Sequence, residues 1–270
     1  MTPNRVIPST TSHKHEPLLT TLEVFARLGM RDLDLNLNHM VERGVDPESV
    51  ADAIAANGQR VWMVSGGWCD FFDTGQKSRE TDASVAGQVA LARRFGVDRM
   101  RLFFGRLPFE SFTPAALATI AANITRLAAE HADLLFVFEN HDGASSHPGV
   151  CRAILEAVDR PNVRLNFDPI NFEVAGATSG PAFAVLRPFI AHVHLKGLDH
   201  DGRFCEFGAG SVDLMPVIRS LIAGGYAGGF TVEYEGPLDR TVRLYESLRC
   251  ARVSIADLIA RKDSSAPTPN

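Results

Sequence analysis

The sequence predicts an α/β protein folded as a single (β/α)8 TIM barrel. Three observations carry that expectation. Strand-like and helix-like segments alternate along the whole chain, the pattern of a parallel sheet with crossover helices. The length of 270 residues is close to the ~250 typical of one such barrel. Four apolar runs in the second half each stop at or beside a residue able to bind metal or move a proton: Glu139 in LLFVFENH, Asp168 in VRLNFDPIN, His194 in IAHVHLKG and Glu233 in GFTVEYEG. They stand roughly 25 to 40 residues apart with helix-like stretches between them, the spacing of strands in a βα-barrel. Strand C-termini converge on one face of that fold, so these four side chains are expected to meet.

The elements follow in order. A first strand is placed near Arg5–Ser9. LLTTLEVFARLGM, residues 18–30, has helical periodicity and ends near Gly29. DLDLNLN alternates polar and apolar residues at period two, as a strand does. SVADAIAANG reads as a helix with a glycine stop, RVWMVS (60–65) as the third strand, and GGWCDFFDTG as the loop after it. ASVAGQVALARRFG is a helix and DRMRLFFG the fourth strand. The next helix starts with Thr113 as N-cap and Pro114 at its first position. The four motif strands come next, separated by helices near 148–158, 181–188 and 213–224, and a last helix spans roughly 238–261. That makes eight βα units, about one per 34 residues, with no linker between them. Residues 1–16 read as a polar segment leading into the barrel, 17–262 as the barrel, and 263–270 as a disordered tail. A doubly wound open sheet is the rival architecture. Against it, no GxGxxG follows the first strand, and the motif residues spread over strands five to eight.

Composition narrows the function classes. A net charge of −5 offers no basic surface, so neither nucleic acid nor a membrane is an expected partner. No run approaches the ~20 apolar residues of a membrane span. Residues 1–16 carry Pro3, Pro8, His13 and His15 with no apolar stretch, so no secretory leader is expected. Cys69, Cys151, Cys205 and Cys250 form no CxxC pair. Scattered thiols in a chain of this size suggest a reduced, cytoplasmic protein.

Two glutamates, an aspartate and a histidine make a hard oxygen and nitrogen ligand set. It suits one divalent ion, Mn²⁺, Mg²⁺ or Co²⁺, with Zn²⁺ also compatible. An ion that chelates a hydroxyl and the neighbouring carbonyl acidifies the C–H between them. A carboxylate on either side can then take and return the proton. Glu139 and Glu233, on strands five and eight, are placed to approach from different sides. Singly, each residue has a plain structural role: a strand-end Glu is often a solvated rim residue, and Asp168 before Pro169 can open a turn. His192 and His194 alternate on one strand and share a face. Four such residues at four successive strand ends are hard to explain as packing.

Through FENH (Glu139 to His141), DPIN (Asp168–Asn171), HVHLKG at 192–197, FGAGSVD at 207–213 and FTVEYEG at 230–236, the chain resembles the sugar phosphate isomerase/epimerase family of xylose isomerase-like TIM barrels. The resemblance covers most of the chain and is strongest from about residue 84 onward. It implies that Glu139, Asp168, His194 and Glu233 hold one divalent metal. It also implies that Glu139 and Glu233 double as a catalytic acid/base pair. His192 and Lys196 would sit beside a small sugar-like substrate, with His141 and Asn171 as further contacts. Lys196 would suit a carboxylate, a phosphate or a developing enolate oxygen, and a rim lysine in solvent is its plain alternative. The implied activity is isomerase or epimerase action on a small ketose or related polyhydroxy carbonyl compound, through an enediolate. A homo-oligomer is compatible with such barrels.

The alternative is a dehydratase acting on an inosose- or dehydroshikimate-like substrate, which shares the first proton abstraction and then expels a β-hydroxyl. An endonuclease IV-like nuclease ranks below both. It needs a histidine where this chain has Asn171, and an Asp-Arg-His where this chain has Gly202, Arg203 and Phe204. A non-catalytic sugar-binding barrel would not need the whole set, and hydride transfer lacks its dinucleotide fingerprint. The first half departs more from the family. Strand two lacks the usual Val-Glu-Leu ending, so Asp34 or Asn36 stands in for that acid or it is absent. Trp68, Phe71 and Phe72 would form an apolar wall for a sugar ring or a subunit contact, and Trp62 would pack in the core. Arg101 and Arg106 flank strand four. Either would suit an acidic substrate group, though a surface ion pair is the commoner role.

Overall fold

A computed structural model describes residues 5–264. Eight parallel strands run β1 (Val6–Pro8), β2 (Asp32–Asn36), β3 (Arg60–Ser65), β4 (Arg99–Phe103), β5 (Leu135–Glu139), β6 (Val163–Phe167), β7 (Ile190–Leu195) and β8 (Gly229–Val232). Each pairs with its sequence neighbour from β2 to β8, and β8 pairs with β1. A parallel bridge between Ser9 and Asp34 joins the ends of β1 and β2 and closes the ring. This is a (β/α)8 barrel with its helices outside.

Period-two alternation decides what faces inward. On β5, Phe136 and Phe138 join the large core between strands and helices, with Phe167, Val193 and Phe230 from β6 to β8. Val137, the residue between them, belongs to a second, small apolar cluster with Ile7, Trp62 and Met63. That inner cluster plugs the barrel low down. There Arg5 and Arg99 lie against the Trp62 ring at 4.7 and 4.4 Å, a favourable cation–π arrangement. Above it the buried side chains turn polar: Asp34, Arg101, Glu139, Asn166, His192, His194 and Thr231. A barrel interior filled only for stability is mostly branched aliphatic, so this change of chemistry marks the functional end.

Local signals explain where the elements differ from the expected ones. Strand two stops at Asn36 because its side chain accepts the Asn38 N–H at 2.9 Å and starts a short helix, Leu37–Val41. The helix Gly75–Arg94 begins well before the apolar pattern does, so its first turns are polar and read as loop. An unexpected helix, Pro169–Val174, starts at Pro169 with Asp168 as N-cap. Between β7 and β8 a two-stranded antiparallel ribbon pairs Gly197–Leu198 with Phe204–Cys205. The last helix runs Arg240–Ser264. Residues 265–270 of the tail expected to be disordered lie outside the described residues. Among the described residues no helix is long and apolar enough to cross a membrane.

Candidate functional site

A cavity of about 850 Å³ opens at the C-terminal ends of the strands, where βα-barrels place their sites. Glu139, the last residue of β5, and Glu233, one residue beyond β8, both line it. Glu233 is held in register because its N–H donates to the Leu195 carbonyl at 3.0 Å, extending the ladder. Asp168 lies just beyond β6, where one carboxylate oxygen accepts the Ile170 and Asn171 N–H groups at 2.9 and 3.1 Å. The cap leaves its other oxygen facing inward.

His194 stands at the centre. Its Nδ1 lies 3.5 Å from Glu139 Oε1 and 3.5 Å from Glu233 Oε2, and its Nε2 lies 3.7 Å from Asp34 Oδ2. Asp34 is anchored from behind, its other oxygen accepting the Ser65 hydroxyl at 2.7 Å. Ligand atoms of Asp34, His194 and Glu233 lie within 4.8 Å of one another, as do those of Glu139, Asp168 and His194. Asp34 Oδ2 and both ring nitrogens of His194 are buried without a hydrogen bond. Desolvated donors that converge without partners call for something between them, and hard oxygen and nitrogen donors fit a divalent cation.

The charges are strongly coupled. Burial pulls the His194 imidazole down, but Glu233 and Glu139 outweigh it and hold it well above its usual value. Burial would push Glu139 up, yet His194 and Arg101 hold it low. Burial dominates at Asp34, which rises to about 6. Lys196 is almost wholly buried. Its ammonium lies 2.9 Å from Asp168 Oδ2 and 2.9 Å from Glu235 Oε1, and these carboxylates overcome the desolvation that would neutralise it.

The other expected contacts separate by depth. His192 shares a face with His194 but sits one layer lower. It is buried, bonded to the Thr231 hydroxyl at 2.8 Å, and does not line the cavity. Burial keeps its imidazole neutral. Lys196, His141 and Asn171 do line the cavity. Asn171 donates its side-chain N–H to Glu139 Oε1 at 3.1 Å and to the Asn140 carbonyl at 3.0 Å. His141 stands edge-on to Trp68 and Phe103 at 5.2 and 5.1 Å. Those two rings stack at 4.0 Å and form an apolar wall.

Arg101 corrects the expectation of a surface ion pair. It is buried, with Nε 3.2 Å from Glu139 Oε2, a bond to the Gly66 carbonyl at 3.0 Å, and its guanidinium 4.0 Å above Phe103. The signal was present: an arginine in the middle of an apolar strand at an inward position must find a buried partner. Glu235 lines the cavity beside Lys196; the sequence signal for it is that it follows Glu233 by two and so repeats its direction. Arg106 lies over Trp68 at 3.6 Å, at the rim.

Several solved structures share the fold. A structure described as L-ribulose 3-epimerase matches with TM-score 0.80 and 18% identity, over 99% of this chain and 100% of that one. The probable 3-DHS dehydratase AsbF of Bacillus anthracis matches with TM-score 0.73 and 17% identity, over 92% and 98%. The IOLI protein with a bound zinc atom matches with TM-score 0.77 and 16% identity, over 96% and 99%. No curated protein matches significantly in sequence. The family profile described as "Xylose isomerase-like TIM barrel" matches residues 23–252. This chain therefore belongs to the xylose isomerase-like TIM barrel family.

Proposed function

We propose that this protein is a divalent-metal-dependent isomerase or epimerase of a small ketose or related polyhydroxy carbonyl compound. One observation carries the reading. Two buried carboxylates, Glu139 and Glu233, converge on one histidine nitrogen, each at 3.5 Å, in the floor of an open cavity. Glu139, Asp168, His194 and Glu233 would hold the ion. Asp34 would fix the His194 tautomer, accepting Nε2–H so that the Nδ1 lone pair stays free for the ion, the usual role of a carboxylate behind a ligating histidine.

When bound, the ion supplies Lewis-acid polarisation of a carbonyl and so acidifies the adjacent C–H. The remaining work falls to this chain. Glu233 and Glu139 reach the cavity from strands that are not neighbours, so a carbon held between them meets a carboxylate on either side. One takes the proton to leave an enediolate, and return to either carbon or either face gives isomer or epimer. Lys196, held by Asp168 and Glu235, offers an N–H to the oxygen on which negative charge develops. The Trp68–Phe103 wall suits the C–H face of a sugar and excludes water from that side.

A dehydratase is the second reading, and one asymmetry favours it. Glu139 is pinned by Arg101 at 3.2 Å and by Asn171 at 3.1 Å, whereas the lysine nearest Glu233, Lys196, stands off at 3.9 Å. A lyase needs a base for the C–H and an acid for the departing hydroxyl, two unequal roles. Release of water or an ultraviolet-absorbing enone would identify it.

The test is metal analysis of the purified protein and of Asp168→Ala, followed by a ketose and inosose screen with Mn²⁺. The expected result is about one ion per chain, lost in the variant, because a ligand set short of one carboxylate loses affinity steeply. Unchanged metal content in the variant moves the ligand set elsewhere. No metal after Mn²⁺ is supplied overturns the proposal.

A further inference from the structure

The cavity described above has a charge arrangement that bears on which substrates can enter it. Among the described residues, three lysine or arginine side chains line it: Lys14, Arg101 and Lys196. Each is already answered by a carboxylate. Arg101 Nε faces Glu139 at 3.2 Å. Lys196 lies between Asp168 and Glu235, at 2.9 Å from each. Lys14, the most exposed, faces the other oxygen of the same Glu235 at 3.6 Å. One carboxylate thus ties together the two lysines closest to an incoming ligand.

The place where many barrels bind phosphate is closed as well. That site is commonly built from the loops after strands seven and eight. Here the glycines of the first loop serve packing. A side chain at Gly210 would meet the Leu198 carbonyl oxygen at 2.5 Å, and one at Gly208, which has φ +88°, would meet the Cys250 sulfur at 2.6 Å. Neither glycine lines the cavity; from that stretch only Phe204 does, with its ring 5.2 Å from the Lys196 ammonium. The loop after strand eight contributes Glu235 itself.

We propose that Glu235 is a specificity-determining residue: it neutralises Lys14 and Lys196 and so restricts the cavity to uncharged polyhydroxy carbonyl compounds, excluding phosphorylated and carboxylated ones. An anion entering this cavity must displace Glu235 from both lysines or sit beside its negative charge. A hydroxyl meets neither cost, because it can accept from Lys196 while Glu235 stays in place. This inference rests on the reading of the cavity as a substrate site, and its test is independent of turnover.

The test titrates the protein with inorganic phosphate, as purified and again after chelation, following tryptophan fluorescence in a Trp62→Phe background, so that Trp68 at the cavity wall is the reporter. In the chelated protein phosphate can report only on the side chains. Wild type is expected to show no saturable binding below about 10 mM, and Glu235→Gln, which keeps the shape and loses the charge, is expected to bind at least about tenfold more tightly. Adding Lys14→Ala to that variant should remove most of the gain. Two results overturn the proposal: chelated wild type saturating below that concentration with the response lost in Lys14→Ala, or no gain in Glu235→Gln. Metal content and its loss in Asp168→Ala judge the underlying reading separately, so the two failures are distinguishable.

Discussion

The two halves of the barrel contribute in different ways. Strands β5 to β8 present Glu139 and Glu233 to the cavity, with Asp168 and His194 buried directly against them. Strands β1 to β4 present side chains that mostly act on those groups from behind or beside. Asp34 on β2 sits behind His194, Arg101 on β4 sits beside Glu139, and Ser65 on β3 holds Asp34. Under the proposed function the second half would carry most of the ligand set, and the first half would set its charge and orientation. A barrel makes this division natural, because side chains from opposite strands meet across its interior.

The sharpest test of the division is to remove the second-half group proposed to act as the base. Glu233→Gln keeps the hydrogen-bonding shape and removes the base. The expected loss in kcat is about 10²–10⁴-fold, with an unchanged fold by circular dichroism. Retained turnover would shift the proton transfer to another residue.

The same substitution type in the first half should act through the partner. Arg101→Met leaves Glu139 as a buried carboxylate with less compensation, which typically costs about 3–5 kcal/mol. A bound cation would supply the missing charge. Urea unfolding should therefore show the larger loss in metal-free protein and a smaller one with Mn²⁺ present. Equal losses in both states would mean that Arg101 serves packing over Phe103 rather than the charge of Glu139.

The two halves also differed in how much the sequence revealed. In the second half, apolar runs end on isolated ionisable residues, and the strand periodicity alone puts those residues on the inner face. The depth of each was not legible. His192 and His194 share a face, yet only the structure shows that His192 bonds Thr231 below the floor while His194 meets the carboxylates. In the first half the polar residues are embedded within strands. Their roles depend on partners more than 30 residues away in sequence, as with Asp34 and Ser65 at a separation of 31, which no local pattern encodes. The sequence leaves Asp34 and Asn36 as alternatives, and it leaves Arg101 between an acidic substrate group and a surface ion pair. The helix Pro169–Val174 was hidden because Asp168 is both a strand-end acid and an N-cap.

The smallest expected effect is the most diagnostic of how the halves cooperate. Asp34 does not line the cavity, and under the proposed ligand set it acts through His194. Its Oδ2 lies 3.7 Å from Nε2 while Oδ1 is held by Ser65. In Asp34→Asn the Ser65 bond can persist, but the amide can present its N–H to the ring and favour the opposite tautomer. His194 would then carry its proton on Nδ1, the nitrogen that faces Glu139 and Glu233. Loss of such an orienting partner typically lowers metal affinity about 10–100-fold. Competition with a fluorescent chelator measures that loss, and excess metal should restore most of the activity, since Glu139, Asp168 and Glu233 are untouched. Wild-type metal affinity in Asp34→Asn would confine the function to the second half. The first four strands would then be a scaffold, and the buried Asp34–His194 contact would serve the fold alone.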